Sequence, residues 1–170
     1  MPDRAHPNEI QPKLCGLAER VASEHFDTHL DYSIDSVQGV ERILGALHDD
    51  YRKTRSDDGL NGIALEFAAY IVSIIQRHFG PAEWERDCPS FGEDAFPLHW
   101  RGSSIYPYAW CQKRIFDGPA DDVWFKFQAI VLGKTQPQRS EIPGDRGPQH
   151  FQAIVLGKTE PRRPWWRFWS

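Results

Sequence analysis

Apolar residues return at helical spacing over three stretches in the first half of the chain. Leu14, Leu17, Val21 and then His25 or Phe26 predict a moderately amphipathic helix over about 13–28. Val37, Val40, Leu44, Leu47 and Tyr51 follow at spacings of three and four, which makes one continuous face. Ser33 is placed to cap that second helix, Asp35 to complement its dipole, and Tyr32 with Val37 to form a hydrophobic staple. The polar run Arg52 to Asp58 ends it. A third helix is expected from about Leu60 to Phe79. Leu60, Ile63, Phe67, Ile71, Ile74 and His78 lie on one face, and Leu65, Ala69 and Val72 on a second. A helix apolar on two sides belongs at the centre of a fold. Gly80-Pro81 stops it.

The pattern changes after Trp84. Phe91, Phe96, Leu98, Trp100 and Ile105 are separated by Gly, Pro and Ser, which predicts two or three short antiparallel strands. Pro107 then occupies the first-turn position that proline tolerates. Tyr108, Cys111 and Ile115 share the face of the helix that follows, and Gly118-Pro119 closes it. Asp121 and Asp122 start a last helix, with Val123, Phe127, Ile130 and Val131 inward and Gly133 as its cap. The expected fold is α+β: about five helices packed on a small antiparallel sheet over residues 13–133. A disordered N-terminus (1–12) precedes it, and a flexible C-terminal tail follows.

That tail contains a repeat. FQAIVLGKT occurs at Phe127–Thr135 and again at Phe151–Thr159. Residues 134–150 are rich in Pro and Gly and read as a linker, and residues 151–170 combine the second copy with a Trp/Arg-rich end. Asp121, Asp122 and Val123 give the first copy a helix start and a longer buried face. The second copy follows Gly147, Pro148, Gln149 and His150 and has no such extension. Nine residues alone fall below the length of a stable isolated helix, so the first copy is expected to be the native element.

Composition narrows the function. The formal net charge is −4 over 170 residues, without a long Lys/Arg run, and nucleic acid is not favoured as a partner. Three cysteines without a CxxC pair suit free thiols in a reducing compartment. The N-terminus lacks an apolar signal core, and Glu66 interrupts the longest apolar stretch, so a cytoplasmic protein without a membrane span is expected.

Five features could carry chemistry. The GKT triplets invite a phosphate-loop reading, but Gln128 and Gln152 stand where that loop needs glycine, and GKT closes a helix rather than opening one. His25 and His29, four apart, could share a helical face and grip a metal, though no third ligand is near and surface histidines are the plainer reading. Cys111 with His99 could form a nucleophile and its base in a thiol-dependent hydrolase or transferase. The face Cys111 shares with Tyr108 and Ile115 reads instead as core. Glu83, Glu85, Asp87, Glu93 and Asp94 form an acidic stretch on turns, a solvated face or a docking surface for a basic protein. Trp165, Trp166, Arg167 and Trp169 suit stacking and cation–π contact with a partner.

The run Leu30-Asp31-Tyr32-Ser33, then Arg77-x-x-Gly80, Trp84, Tyr106-Pro107, Lys113-Arg114 and Gly118, resembles a family of small bacterial proteins of unknown function, over roughly residues 30–133. The resemblance implies a bacterial α+β domain and transfers no catalytic residue. Together these features predict a non-enzymatic protein-binding module, immunity- or adaptor-like by analogy of size. Another protein is the expected partner, and no cofactor or metal is expected. The oligomeric state is left open.

Overall fold

The computed structural model describes residues 5–133, and the linker at 134–150, the second nonapeptide and the Trp/Arg-rich end lie outside them. Leu60–Phe79 forms α3, with the bounds its two apolar faces predict. Phe67, Ala68, Tyr70, Ile71, Ile74 and Ile75 are wholly shielded from solvent. α1 (Pro7–Phe26) and α4 (Pro107–Phe116) both pack along α3, while α2 (Ser36–Thr54) lies mainly against α4. Each large side chain buried this way stabilises the fold by about 1.5–3 kcal/mol, before the entropy of ordering it is set against that gain.

The first helix begins at Pro7 rather than near residue 13, so residues 7–12 are helical where disorder was expected. Proline suits the N1 position, and His6 caps the helix by accepting the Asn8 N–H through Nδ1 at 3.3 Å. Pro12 lies inside the helix and removes one hydrogen bond. Tertiary contact offsets that loss: Gln11 is buried, and its amide donates to Ser73 Oγ at 2.8 Å and to Gln76 Oε1 at 2.9 Å on α3.

α2 starts at Ser36, later than a Ser33 cap implies. Ser33 still serves the helix start, because its Oγ accepts the Ser36 N–H at 3.2 Å. Val37, Val40, Leu44 and Leu47 are buried along the predicted face, joined by Ile43.

Three short strands follow: β1 (Glu83–Trp84), β2 (Leu98–Trp100) and β3 (Ser103–Ile105). They form an antiparallel sheet in the order β1-β2-β3, with Trp84 opposite Leu98 and Leu98 opposite Ile105. Trp84, Leu98, Trp100 and Ile105 are buried, whereas His99 and Ser104, paired across β2 and β3, lie on the more open side. Arg101 and Gly102 join β2 to β3 with positive φ at both residues, the geometry that matches the twist of a two-residue hairpin. The fold class is therefore α+β: the described residues form five helices and a three-stranded antiparallel sheet.

The last helix differs from the regular one expected. A 3₁₀ turn at Pro119–Asp121 leads into α5 (Val123–Phe127), which Asp122 caps by accepting the Phe125 N–H at 2.7 Å. Residues Gln128–Leu132 then widen into a π-helix, in which the Gly133 N–H reaches Gln128 O. Gly133 stays right-handed at φ −60°, so it is not a left-handed cap. The described part of the first nonapeptide is thus helical and seated, with Phe127 and Val131 fully buried. Among the described residues, no helix is long and apolar enough to cross a membrane.

Candidate functional site

The chain between β1 and β2 is a narrow, braced loop. At its base Trp84 is buried and its indole N–H donates to Phe96 O at 3.3 Å. Backbone pairing continues past the strands: Glu85 N–H donates to Pro97 O at 3.0 Å and Phe96 N–H to Arg86 O at 2.8 Å. Arg86 lies 3.2 Å from an Asp94 carboxylate oxygen, with its guanidinium over the Phe96 ring. Asp87 accepts the Asp94 N–H at 2.8 Å. At the tip Cys88 and Gly92 exchange both backbone hydrogen bonds, at 2.9 and 2.6 Å, and Gly92 takes the positive φ (92°) that the tight turn needs. Asp94 and Phe96 also adopt positive φ, uncommon for residues with side chains and held here by the pairing around them.

This bracing leaves one aromatic outside. Phe91 is 60% exposed, touching the Tyr106 ring edge-on at 5.0 Å. Cys88 lies beneath it, 3.6 Å from the Tyr106 hydroxyl. Burial acts to raise the Cys88 thiol pKa, but the hydrogen bond from Tyr106 and the Ser90 and Phe91 N–H groups outweigh it and leave the thiol below its ordinary value. Tyr106 is pushed up to about 12, by burial first and then by Cys88. Beside the loop a hollow of about 630 Å³ is lined by His6 and Glu9 from the start of α1 and by Glu85, Arg86 and Asp87. The acidic stretch foreseen from sequence is this loop, though not all of it is unpaired: Glu85 lies 3.2 Å from His99 Nε2.

Cys111 and His99 do not come together. Cys111 sits on α4 with no exposed surface, and burial holds its thiol far above the ordinary value, the reverse of what a nucleophile needs. His99 directs Nε2 toward Glu85 and Nδ1 to Ser104 Oγ at 2.9 Å. The histidine pair also separates. Asp27 takes the left-handed conformation and ends α1, with its own N–H and that of Thr28 bonded to Ala22 O. His25 is therefore in the last turn, while His29 is off the helix, so the spacing of four no longer stacks them on one face. Among the described residues, no group of three or more His, Cys, Asp or Glu is arranged to hold a metal. Trp165, Trp166, Arg167 and Trp169 lie outside the described residues.

Two polar networks were not foreseen. In one, Tyr32, at φ 59°, lies under the Arg77 guanidinium, 3.6 Å from its ring centroid, and bonds Glu19 through its hydroxyl. Its N–H donates to Tyr70 Oη at 2.7 Å, and His78 Nε2 donates to its carbonyl at 2.8 Å. Burial and then the Glu19 contact raise the Tyr32 pKa, so the phenol stays protonated as a donor. In the other, Glu41 on α2 holds Arg114 of α4, Nε to Oε1 at 2.5 Å, and accepts the Val123 N–H at 2.8 Å. His48 Nδ1 donates to Ile115 O at 2.7 Å, and Gly118 leaves room for its ring, where a Cβ would stand 2.8 Å from Nε2. Both networks join helices across long sequence separations, which spacing along one helix does not register.

No family model matches the chain, and no characterised protein or solved structure is significantly similar to it.

Proposed function

We propose that the chain is a non-enzymatic protein-binding module that engages its partner through the loop between β1 and β2. The observation that carries the reading is Phe91, an aromatic ring held in solvent by a loop whose backbone is paired nearly to its tip. A preformed loop loses little entropy on docking, and a protruding aromatic is the kind of anchor that dominates protein interfaces. Carboxylates at Glu83 on β1 and at Glu85, Asp87, Glu93 and Asp94 on the loop outnumber its one arginine, Arg86, which suits a partner pocket that is apolar inside and basic at its rim. An immunity or adaptor role fits this mode of binding. Thiol catalysis at Cys111 has no comparable support, because the sulfur is sealed in the core and His99 faces elsewhere.

The test is affinity capture from the source cells with the intact chain and with Phe91→Ser. A specific partner held by the wild type and lost by the variant, with unfolding free energies within about 0.5 kcal/mol as expected for a surface change, supports the reading. Capture unaffected by Phe91→Ser removes the loop from the interface.

A further inference from the structure

The open face of the sheet brings together a serine, a histidine and a glutamate. His99 on β2 stands directly opposite Ser104 on β3, one pair beyond the Arg101-Gly102 turn. Residues paired in this way share a face and lie within reach of each other. His99 Nδ1 is 2.9 Å from Ser104 Oγ, and its Nε2 is 3.2 Å from a carboxylate oxygen of Glu85, just past the end of β1. A carboxylate only accepts, so Nε2 carries the ring proton. In the neutral ring Nδ1 is then left to accept from the Ser104 hydroxyl. Glu83, opposite His99 across β1 and β2, puts a second carboxylate on this face.

These are the parts of an activated nucleophile: a hydroxyl, a base that takes its proton, and a carboxylate that orients the base and stabilises the cation formed. Reagents can reach them. Ser104 is exposed, as are about two-fifths of the His99 and Glu85 side chains, 40% and 42%. A hollow of about 280 Å³ lined by residues 99–104 opens beside the serine, which suits a short acyl group. We propose that Ser104 is a modification site that takes an acyl group from a small activated ester. Ser104 Oγ attacks the ester carbonyl carbon while its proton passes to His99 Nδ1. The bond from that carbon to the leaving alcohol's oxygen then breaks. The alcohol departs with the proton from His99, and Ser104 is left as an ester. One acyl group is transferred per chain, and the transfer does not depend on docking through Phe91.

Treatment of the full chain with p-nitrophenyl acetate, with the acetylated residues mapped by mass spectrometry, tests this. Ser103 is the internal reference. It is exposed on the same strand but, paired with Trp100, belongs to the other face of the sheet. Ser104 should be acetylated about a hundredfold faster than Ser103, the low end of what a positioned base supplies. His99→Asn removes the base and should bring the two serines to the same rate. Glu85 is a positioning residue that acts through His99. Glu85→Gln should slow Ser104 severalfold, and Glu85→Asp, which keeps the carboxylate, should slow it less. Melting temperatures should stay close to that of the wild type, because both side chains are well exposed. Three results overturn the proposal: Ser104 reacting no faster than Ser103, a preference for Ser104 that survives His99→Asn, or a Ser104 rate indifferent to Glu85→Gln.

Discussion

Along α3, Phe67, Tyr70 and Ile71 are closed off from water on every side, whereas in the loop between β1 and β2 Trp84 and Phe96 are buried at the base and Phe91 stands in solvent at the tip. Both regions are rich in large apolar residues. In α3 the backbone satisfies itself, so side chains are free to pack in two directions. In the loop the backbone spends its hydrogen bonds across the turn, and side chains alternate between anchoring the base and projecting from the end. Aromatic content alone therefore does not separate core from display. The local backbone does, because a ring on a two-stranded extension has only one side to lean on.

Substitutions should widen or erase that contrast. The largest effect is expected for Phe67→Ala, which empties a fully enclosed site in α3 and should lower stability by about 3–5 kcal/mol in urea denaturation. A loss under about 1 kcal/mol would mean that α3 is less central than its burial indicates. Gly92→Ala tests the loop's bracing. Nothing lies within 4 Å of the added methyl, so only the positive φ opposes it, and the expected loss is about 1–2 kcal/mol. An unchanged midpoint would show that the tip relaxes freely and that Phe91 is not held in place.

Glu66 gives the smallest and most condition-dependent effect. It is the lone carboxylate in α3, with Oε2 buried and unpartnered, and burial raises its pKa above the ordinary value of 4.5. The folded state thus binds this proton more tightly than the unfolded chain does. Stability from this group is fully present below about pH 4.5 and declines as pH rises through the folded value. Glu66→Gln should raise the melting temperature at neutral pH, and the gain should vanish as pH falls below that range. A variant less stable than wild type at neutral pH would reveal a favourable partner for the carboxylate.

Much of the helical body was legible because its periodicity is set by burial. The ends of α3, the inward face of α2 and the proline start of α4 follow from spacing and from the stereochemistry of Gly and Pro. Residues 7–12 were not, because prolines argue against a helix until Gln11 is seen bonded to Ser73 and Gln76, on a helix far along the chain. The exposure of Phe91 escaped for a related reason: it was counted with its strand-forming neighbours. Its setting between Pro89-Ser90 and Gly92 was a turn signal that could have set it apart. His29 was misplaced because the left-handed turn at Asp27 uses a residue other than glycine. The Glu41–Arg114–Val123 tie lay beyond reach, since it joins three elements that only the packed fold brings side by side.

The π-turn at Gln128–Leu132 has a consequence for chain length. A loop of backbone closed over five residues houses one more than an α-turn would in the same span. Removing Ala129, which is exposed, would let the ring tighten to the commoner form without emptying the pockets of Phe127 and Val131. Among the described helices, this stretch can accordingly accommodate a one-codon deletion, slack that α3, seated on two sides, does not possess.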